Sequence, residues 1–271
     1  MAADAVVERG RGGELIAERV GPVGWITFSN VARHNAVTLA MWQTLPVLLQ
    51  AFAEDPEVRV VVLKGAGDKA FVAGADISEF ERERADPEAV ERYDRAGAEA
   101  NEALKSCAKP TIAMIRGYCI GGGLGLALCC DLRIAAEDAS FAIPAAKLGL
   151  GYGFTGIKQL ADLVGPAFAR EILYTARRFS AAEAAHIGLV NQVVPVAALA
   201  GRVQETAAMS AGNAPLTIAA AKECVAQWAK LPEDRDLARP AAAVKACFAS
   251  RDYAEGRAAF RDKRKPSFEG R

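Results

Sequence analysis

The sequence predicts an α/β fold, with repeated ββα units followed by a helical C-terminal region. Three observations predict it. The order strand, strand, helix recurs about three times before residue 145, without an obvious sequence repeat. Residues 58–64 (VRVVVLK) and 110–115 (PTIAMI) are apolar runs suited to buried strands, with Arg59 the only charge inside the first. From Phe179 the text turns helical, and it stays Ala-rich over residues 196–262.

In chain order, residues 13–30 read as two short strands joined by a Gly-Pro turn. VARHNAVT then leads into a helix over 39–54 that ends before Pro56. GAGDKAFVAGADISEF is a Gly/Ala-rich loop flowing into a polar stretch, and residues 81–106 form a solvated helix whose charge run is its exposed face. Residues 132–135 and 140–143 are short strands again. SAAE offers a capping box, Ser180 with Glu183, opening a helix that stops at Gly188. Breaks are expected near 213–215, Pro232 and Pro240. No linker divides the chain, which is read as a ββα core over 1–195 and a helical region over 196–271.

The chain is organised around residues 116–131, RGYCIGGGLGLALCCD, uncharged from Gly117 to Cys130. A strand, a triple-Gly turn and an apolar helix are the simplest reading. Helix starts carry N–H groups without internal partners, and the peptide dipoles make that end mildly positive. Such a turn suits a phosphate or an oxyanion. The competing reading is a close-packing face of Gly117, Gly121 and Gly125 at i, i+4 spacing.

Lys and Arg total 33, as do Asp and Glu, so there is no electrostatic footprint for nucleic acid or an anionic membrane. Any anionic ligand therefore needs a local site. The apolar run 117–130 is too short to span a bilayer, and the N-terminus lacks the apolar core of a secretory signal. Six cysteines without CxxC spacing and only two histidines point to buried thiols in a cytoplasmic protein, with no metal site and no disulfide framework.

At this point the chain resembles the crotonase (enoyl-CoA hydratase/isomerase) superfamily over essentially its whole length. The matching pieces come in family order: RHNAV (33–37), AFVAGADISEF (70–80), KPTIAMIRGYCIGGG (109–123), CDLRIAAEDASFAIP (130–144), LGLGYGFTG (148–156), FSAAEAAHIGLVNQVVP (179–195) and EGRAAFRDKRKPSF (255–268). The resemblance implies a crotonase/ClpP-like right-handed spiral of ββα units, with a C-terminal helical region that builds homotrimers, often paired into hexamers. It implies a bound acyl-CoA thioester, coenzyme A being the substrate's carrier and no separate cofactor being needed. The implied oxyanion donors are the N–H groups of Ala75 and Gly122, with Gly121 beside them. Coenzyme A would lie along Arg33, His34, Ala73, Asp76 and Ile77, with Phe260 and Lys263 near the adenine.

Two positions depart from the hydratase pattern. The resemblance places glutamates two residues after the Gly triplet and directly after the Pro of the strand-end motif; here these are Gly125 and Ala145. Neither transfers a proton, and both leave room in the acyl pocket. Paired carboxylates are what acid–base hydration needs. Tyr152 is the remaining candidate for proton chemistry, and its place resembles the methylmalonyl-CoA decarboxylase branch. Glu79 and Glu83 follow the loop as weaker candidates. Three functions stay open here: an enolate-stabilising acyl-CoA enzyme, a decarboxylase of a malonyl-type CoA ester, and a catalytically silent acyl-CoA-binding homologue.

Overall fold

Thr38 opens the first helix by accepting a hydrogen bond from Met41 N–H, and α1 (Leu39–Glu54) then runs to Asp55, ahead of Pro56. The computed structural model describes residues 6–10, 13–76 and 87–271. Strands β1 (Val6–Gly10), β2 (Gly13–Val20) and β3 (Val23–Ser29) form an antiparallel meander. Three ββα turns follow. They are β4 (Val60–Gly65), β5 (Ala70–Val72) and α2 (Pro87–Ser106); β6 (Thr111–Ile115), β7 (Tyr118–Ile120) and α3 (Gly122–Cys129); and β8 (Leu132–Ala136), β9 (Ser140–Ala142) and α4 (Phe154–Thr175).

The first strand of each turn joins one sheet and the second joins another. Including β10 (Phe179–Ser180) and β11 (Gln192–Val194), the larger sheet runs β1-β2-β3-β4-β6-β8-β11 and the smaller β10-β9-β7-β5. From β3 to β11 the larger sheet is parallel, and so are β5, β7 and β9 in the smaller one. This is the coiled ββα architecture expected from the sequence.

Parallel strands covered on both faces should be apolar where they are buried, and the first four residues of β4 are. Val60, Val61, Val62 and Leu63 are all fully buried. Side chains alternate sides: Val61 and Leu63 enter the main core, while Val60 and Val62 meet Leu199, Val203 and Ala207 of α6 (Leu199–Ala211). The first helix of the C-terminal region therefore covers the outer face of the larger sheet. Beyond it, α7 (Pro215–Trp228), α8 (Ala238–Ala249) and α9 (Arg251–Arg261) complete the chain.

Some expectations change. The loop predicted over residues 65–80 contains the three-residue strand β5, fully buried at Phe71 and Val72. The 22-residue α4 was not anticipated; Gly165, at φ 76°, and Pro166 put a kink in it. Pro240 does not break the C-terminal helices. It sits in the first turn of α8, where its missing N–H costs nothing. The break falls instead at Ser250, which ends α8 and caps α9 by accepting from Tyr253 N–H. Four cysteines are buried as expected, but Cys224 is exposed. Ile77, Glu79 and Glu83 lie outside the described residues. No helix among the described residues is long and apolar enough to cross a membrane.

The capping box is present and starts α5 (Ala181–His186). Ser180 Oγ accepts from Glu183 N–H, and the Glu183 carboxylate accepts from Ser180 N–H at 2.8 Å. Those bonds, with Arg177 adding to them, hold the Glu183 carboxyl down to about 2 against an ordinary 4.5. A carboxyl held lower in the folded state stabilises the fold above its unfolded value and loses that contribution as pH falls through the folded one. Glu183→Gln should therefore melt below wild type at neutral pH, and the gap should narrow as pH drops from 4.5 toward about 2. Gly123 makes a second test. A Cβ there would stand 2.0 Å from Val72 O, whereas one on Gly201 of α6 meets nothing within 4 Å. Gly201→Ala should raise stability by about 0.5–1 kcal/mol, and Gly123→Ala should lower it by about 3 kcal/mol or more despite the same gain in helix propensity. Thermal denaturation of the two variants checks the opposite signs.

Candidate active site

Two loops meet where α3 begins. Val37 and Ala75 form a parallel bridge. In it Val37 donates its N–H to Gly74 O at 2.8 Å and accepts from Asp76 N–H at 3.0 Å. A bridge of this kind turns the N–H of the middle residue, Ala75, to the other side. Among the described residues that N–H has no acceptor. On the facing loop, Gly121 adopts φ 55° and donates to Ala142 O at 2.8 Å. Gly122 is then the first helical residue, and no side chain caps the helix, so its N–H is unpaired within α3.

The two N–H groups are close together. A Cβ built on Gly122 would stand 3.9 Å from Ala75 N, and one built on Gly74 would stand 4.0 Å from Gly122 N. An oxygen seated between them would accept two hydrogen bonds and feel the positive end of α3. The glycine-face reading holds at Gly117, where a Cβ would stand 2.0 Å from Lys69 O, and not at Gly121 or Gly125. Gly123 makes a second tight approach, against β5.

Of the other predicted residues, Ala73 donates its N–H to His34 O at 3.1 Å, which sets the RHNAV loop beside the GAD loop. Arg33 and His34 are exposed; His34 has φ 52° and lies edge-on to Tyr118, centroids 5.6 Å apart. Arg178 lies over the same tyrosine ring at 4.9 Å. A cavity of about 240 Å³ opens beside His34 and Lys69. Asp76 is buried, with its carboxylate accepting from Asn30 Nδ2 at 3.3 Å, so it faces the interior. Phe260, 88 % exposed, and Lys263 belong to the end of α9 and its exit. Neither makes a hydrogen bond, ion pair or ring contact with the site residues.

Gly125 lies one turn into α3, and Tyr152 stands over it. A Cβ on Gly125 would be 3.7 Å from the Tyr152 hydroxyl. The room left at residue 125 is therefore bounded by that hydroxyl, which corrects the expectation of a simply emptied pocket there. Burial, with the charge of ionised Cys129 adding to it, pushes the phenol above its usual range. Tyr152 thus stays protonated at neutral pH. Ala145, half-buried, accepts from Leu148 N–H and Leu150 N–H through its backbone and offers no side-chain chemistry. Cys119 is fully buried and its thiol is pushed far up, which removes it as a nucleophile.

Two aromatic residues not singled out from the sequence stand behind the N–H pair. Trp42 lies 3.5 Å from the Cβ position of Gly122, and its indole N–H donates to the Tyr93 hydroxyl at 2.9 Å. They are 51 residues apart on different helices, and no motif connects them.

Comparison with known proteins gives the family. The enoyl-CoA hydratase/isomerase family model matches residues 18–271. A crotonyl-CoA hydratase of Syntrophomonas wolfei is 39% identical over 218 residues, covering 80% of this chain and 83% of that protein. A short-chain-enoyl-CoA hydratase of Clostridium acetobutylicum is 34% identical over 253 residues, covering 93% and 95%. The crystal structure of an enoyl-CoA hydratase/carnithine racemase from Magnetospirillum magneticum superposes with a TM-score of 0.89 at 37% identity, covering 98% of this chain and 97% of that one. With its ββα spiral and matched length, the chain belongs to the enoyl-CoA hydratase/isomerase family.

Proposed function

We propose that this enzyme binds acyl-CoA thioesters and stabilises a thioester enolate between the N–H groups of Ala75 and Gly122. The observation that carries the reading is the convergence of those two unpaired donors at the start of α3. Removing the α-proton, or a carboxylate, from a thioester puts negative charge on its oxygen. Preorganised donors there are worth about 3 kcal/mol each in a dry site. Coenzyme A is the substrate's carrier, running past Arg33, His34 and Ala73. Sequence likeness to proteins named crotonyl-CoA and short-chain-enoyl-CoA hydratases supports a short acyl chain.

The proton chemistry differs from two-carboxylate hydration. Residues 125 and 145, where the resemblance places the glutamates, are Gly and Ala. The titratable group over Gly125 is the Tyr152 hydroxyl, held protonated by burial. It is a proton donor to an enolate carbon rather than a base toward water. One second reading follows from the same hydroxyl. In a malonyl-type CoA ester the bond to the carboxylate breaks, its electron pair enters the enolate, and CO2 leaves. The α-carbon then takes a proton, and no general base is needed.

We also propose that the chain assembles as a homotrimer or hexamer through the C-terminal helices, which expose Val225, Trp228, Leu237, Val244 and Phe248. Light scattering should give a mass three or six times the 28.6 kDa chain, and a monomer would overturn this.

The functional test incubates the protein with crotonyl-CoA, a 3-enoyl-CoA and methylmalonyl-CoA in deuterated water, read by mass spectrometry. Deuterium at the α-carbon is expected, with solvent water taking the α-proton and Tyr152 returning a deuteron to the enolate, and with little water added to crotonyl-CoA. Tyr152→Phe should lower deuterium delivery about a hundredfold while acyl-CoA binding persists. CO2 loss from methylmalonyl-CoA, abolished in that variant, would favour the decarboxylase reading. Efficient hydration of crotonyl-CoA would overturn the assigned proton chemistry. Binding without exchange or turnover of any thioester would mean a silent homologue.

A further inference from the structure

We infer that Trp42 and Tyr93 are positioning residues that set the geometry of the two N–H donors. The inference rests on the enolate-stabilising reading of the site. Four hydrogen bonds link Trp42 to the Ala75 loop through the buried interior. Trp42 Nε1–H donates to the Tyr93 hydroxyl at 2.9 Å, and that hydroxyl donates to Val37 O at 3.1 Å. Val37 O also accepts from Asp76 N–H at 3.0 Å, and Val37 N–H donates to Gly74 O at 2.8 Å. The residue held between Gly74 and Asp76 is Ala75. Trp42 and Tyr93 are each 5% exposed and Val37 is fully buried, so water does not compete for these bonds.

The same indole reaches the second donor. The Cβ position of Gly122 is 3.5 Å from Trp42 Cζ2, and that of Gly97 on α2 is 3.9 Å from Trp42 Cε2. One ring thus lies between α2 and the start of α3, its edge bordering the space a side chain on Gly122 would need and its nitrogen tied to the Ala75 bridge. Trp42 itself is fixed in the first turn of α1, with its backbone N–H donating to Thr38 O at 3.1 Å one residue beyond Val37. The spacing of the two donors is therefore set by a ring and a hydroxyl that touch no substrate. Misplacement of a donor by a fraction of an ångström weakens the transition state more than it weakens binding, because the charge on the oxygen develops only there.

Tyr93→Phe removes the hydroxyl and leaves the ring. Trp42→Phe keeps an aromatic against Gly122 and removes the indole N–H. The readout is the absorbance of a conjugated dienoyl-CoA, which shifts to longer wavelength when hydrogen bonds polarise its thioester carbonyl. In Tyr93→Phe the shift should fall to about half or less, with Kd changed no more than about threefold and α-deuterium exchange slowed about ten- to a hundredfold. Trp42→Phe should lie between wild type and Tyr93→Phe, because Tyr93 keeps its bond to Val37 O. A full shift and full exchange in both variants would overturn the inference. Loss of binding together with the shift would also overturn it, since that marks general collapse of the site. If wild type itself binds the dienoyl-CoA without any shift, the enolate-stabilising reading fails first, which the wild-type arm alone reveals.

Discussion

The close seating of β5 is the constraint on which the rest of the site depends. This strand has three residues, yet backbone from three sides presses on it. A Cβ on Gly65 would stand 2.1 Å from Ala70 O, one on Gly117 2.0 Å from Lys69 O, and one on Gly123 2.0 Å from Val72 O. No side chain fits at any of the three. Asn35 Nδ2 fastens the same segment, donating to Ala66 O at 2.9 Å and Ala70 O at 2.8 Å. So short a strand has little ladder of its own, and its position is imposed by what touches it. The payoff lies immediately downstream, where Ala73–Asp76 leave β5 at a fixed angle and bring Ala75 opposite Gly122.

Helix α3 shows the same economy at its two ends. It is eight residues long and carries no charge, so its orphan carbonyls and orphan N–H groups must be met from elsewhere. The carbonyl end is closed from inside the protein. Arg133, buried and without a carboxylate ion-pair partner among the described residues, donates through Nη1 to Ala127 O and Cys130 O and through Nε to Leu189 O. A cation there also complements the negative end of the helix. The N–H end receives no side-chain cap. That asymmetry leaves the helix start open to a ligand, as proposed, and Arg133 stabilises the helix by removing the penalty at the far end.

Much of this was legible in the sequence, because its signals are local. Helix α1 falls on its predicted bounds, since Thr38 and Pro56 mark its ends. The all-apolar run of β4 announces two covered faces. The Gly triplet announces a turn into a helix start. What escaped was either too short or too distant to carry a signal. β5 is shorter than one readable period, so AFV disappears into its Gly-rich surroundings. The Gly165-Pro166 pair interrupts the periodicity of α4 and hides a long helix. Pro240 reads as a breaker wherever it occurs, although a first-turn proline is harmless. The apposition of Trp42, Tyr93 and Val37 depends on how α1 and α2 pack, which no window of sequence contains.

Gly125 and Tyr152 bear on the chemistry in a way neither shows alone. From the sequence, Gly125 is a missing acid and Tyr152 a spare phenol 27 residues later. In the fold the hydroxyl comes to rest over the glycine, in a buried setting that raises its pKa. A carboxylate at 125 would be charged at neutral pH and could accept a proton from water; a phenol held above its usual range stays neutral and is no base. On the proposed reading, the two backbone donors at the helix start need no side chain, so Gly125 and Ala145 leave them in place while proton delivery would fall to Tyr152. Such a site would suit a carbanion that arises without a strong base and ends by taking up a proton.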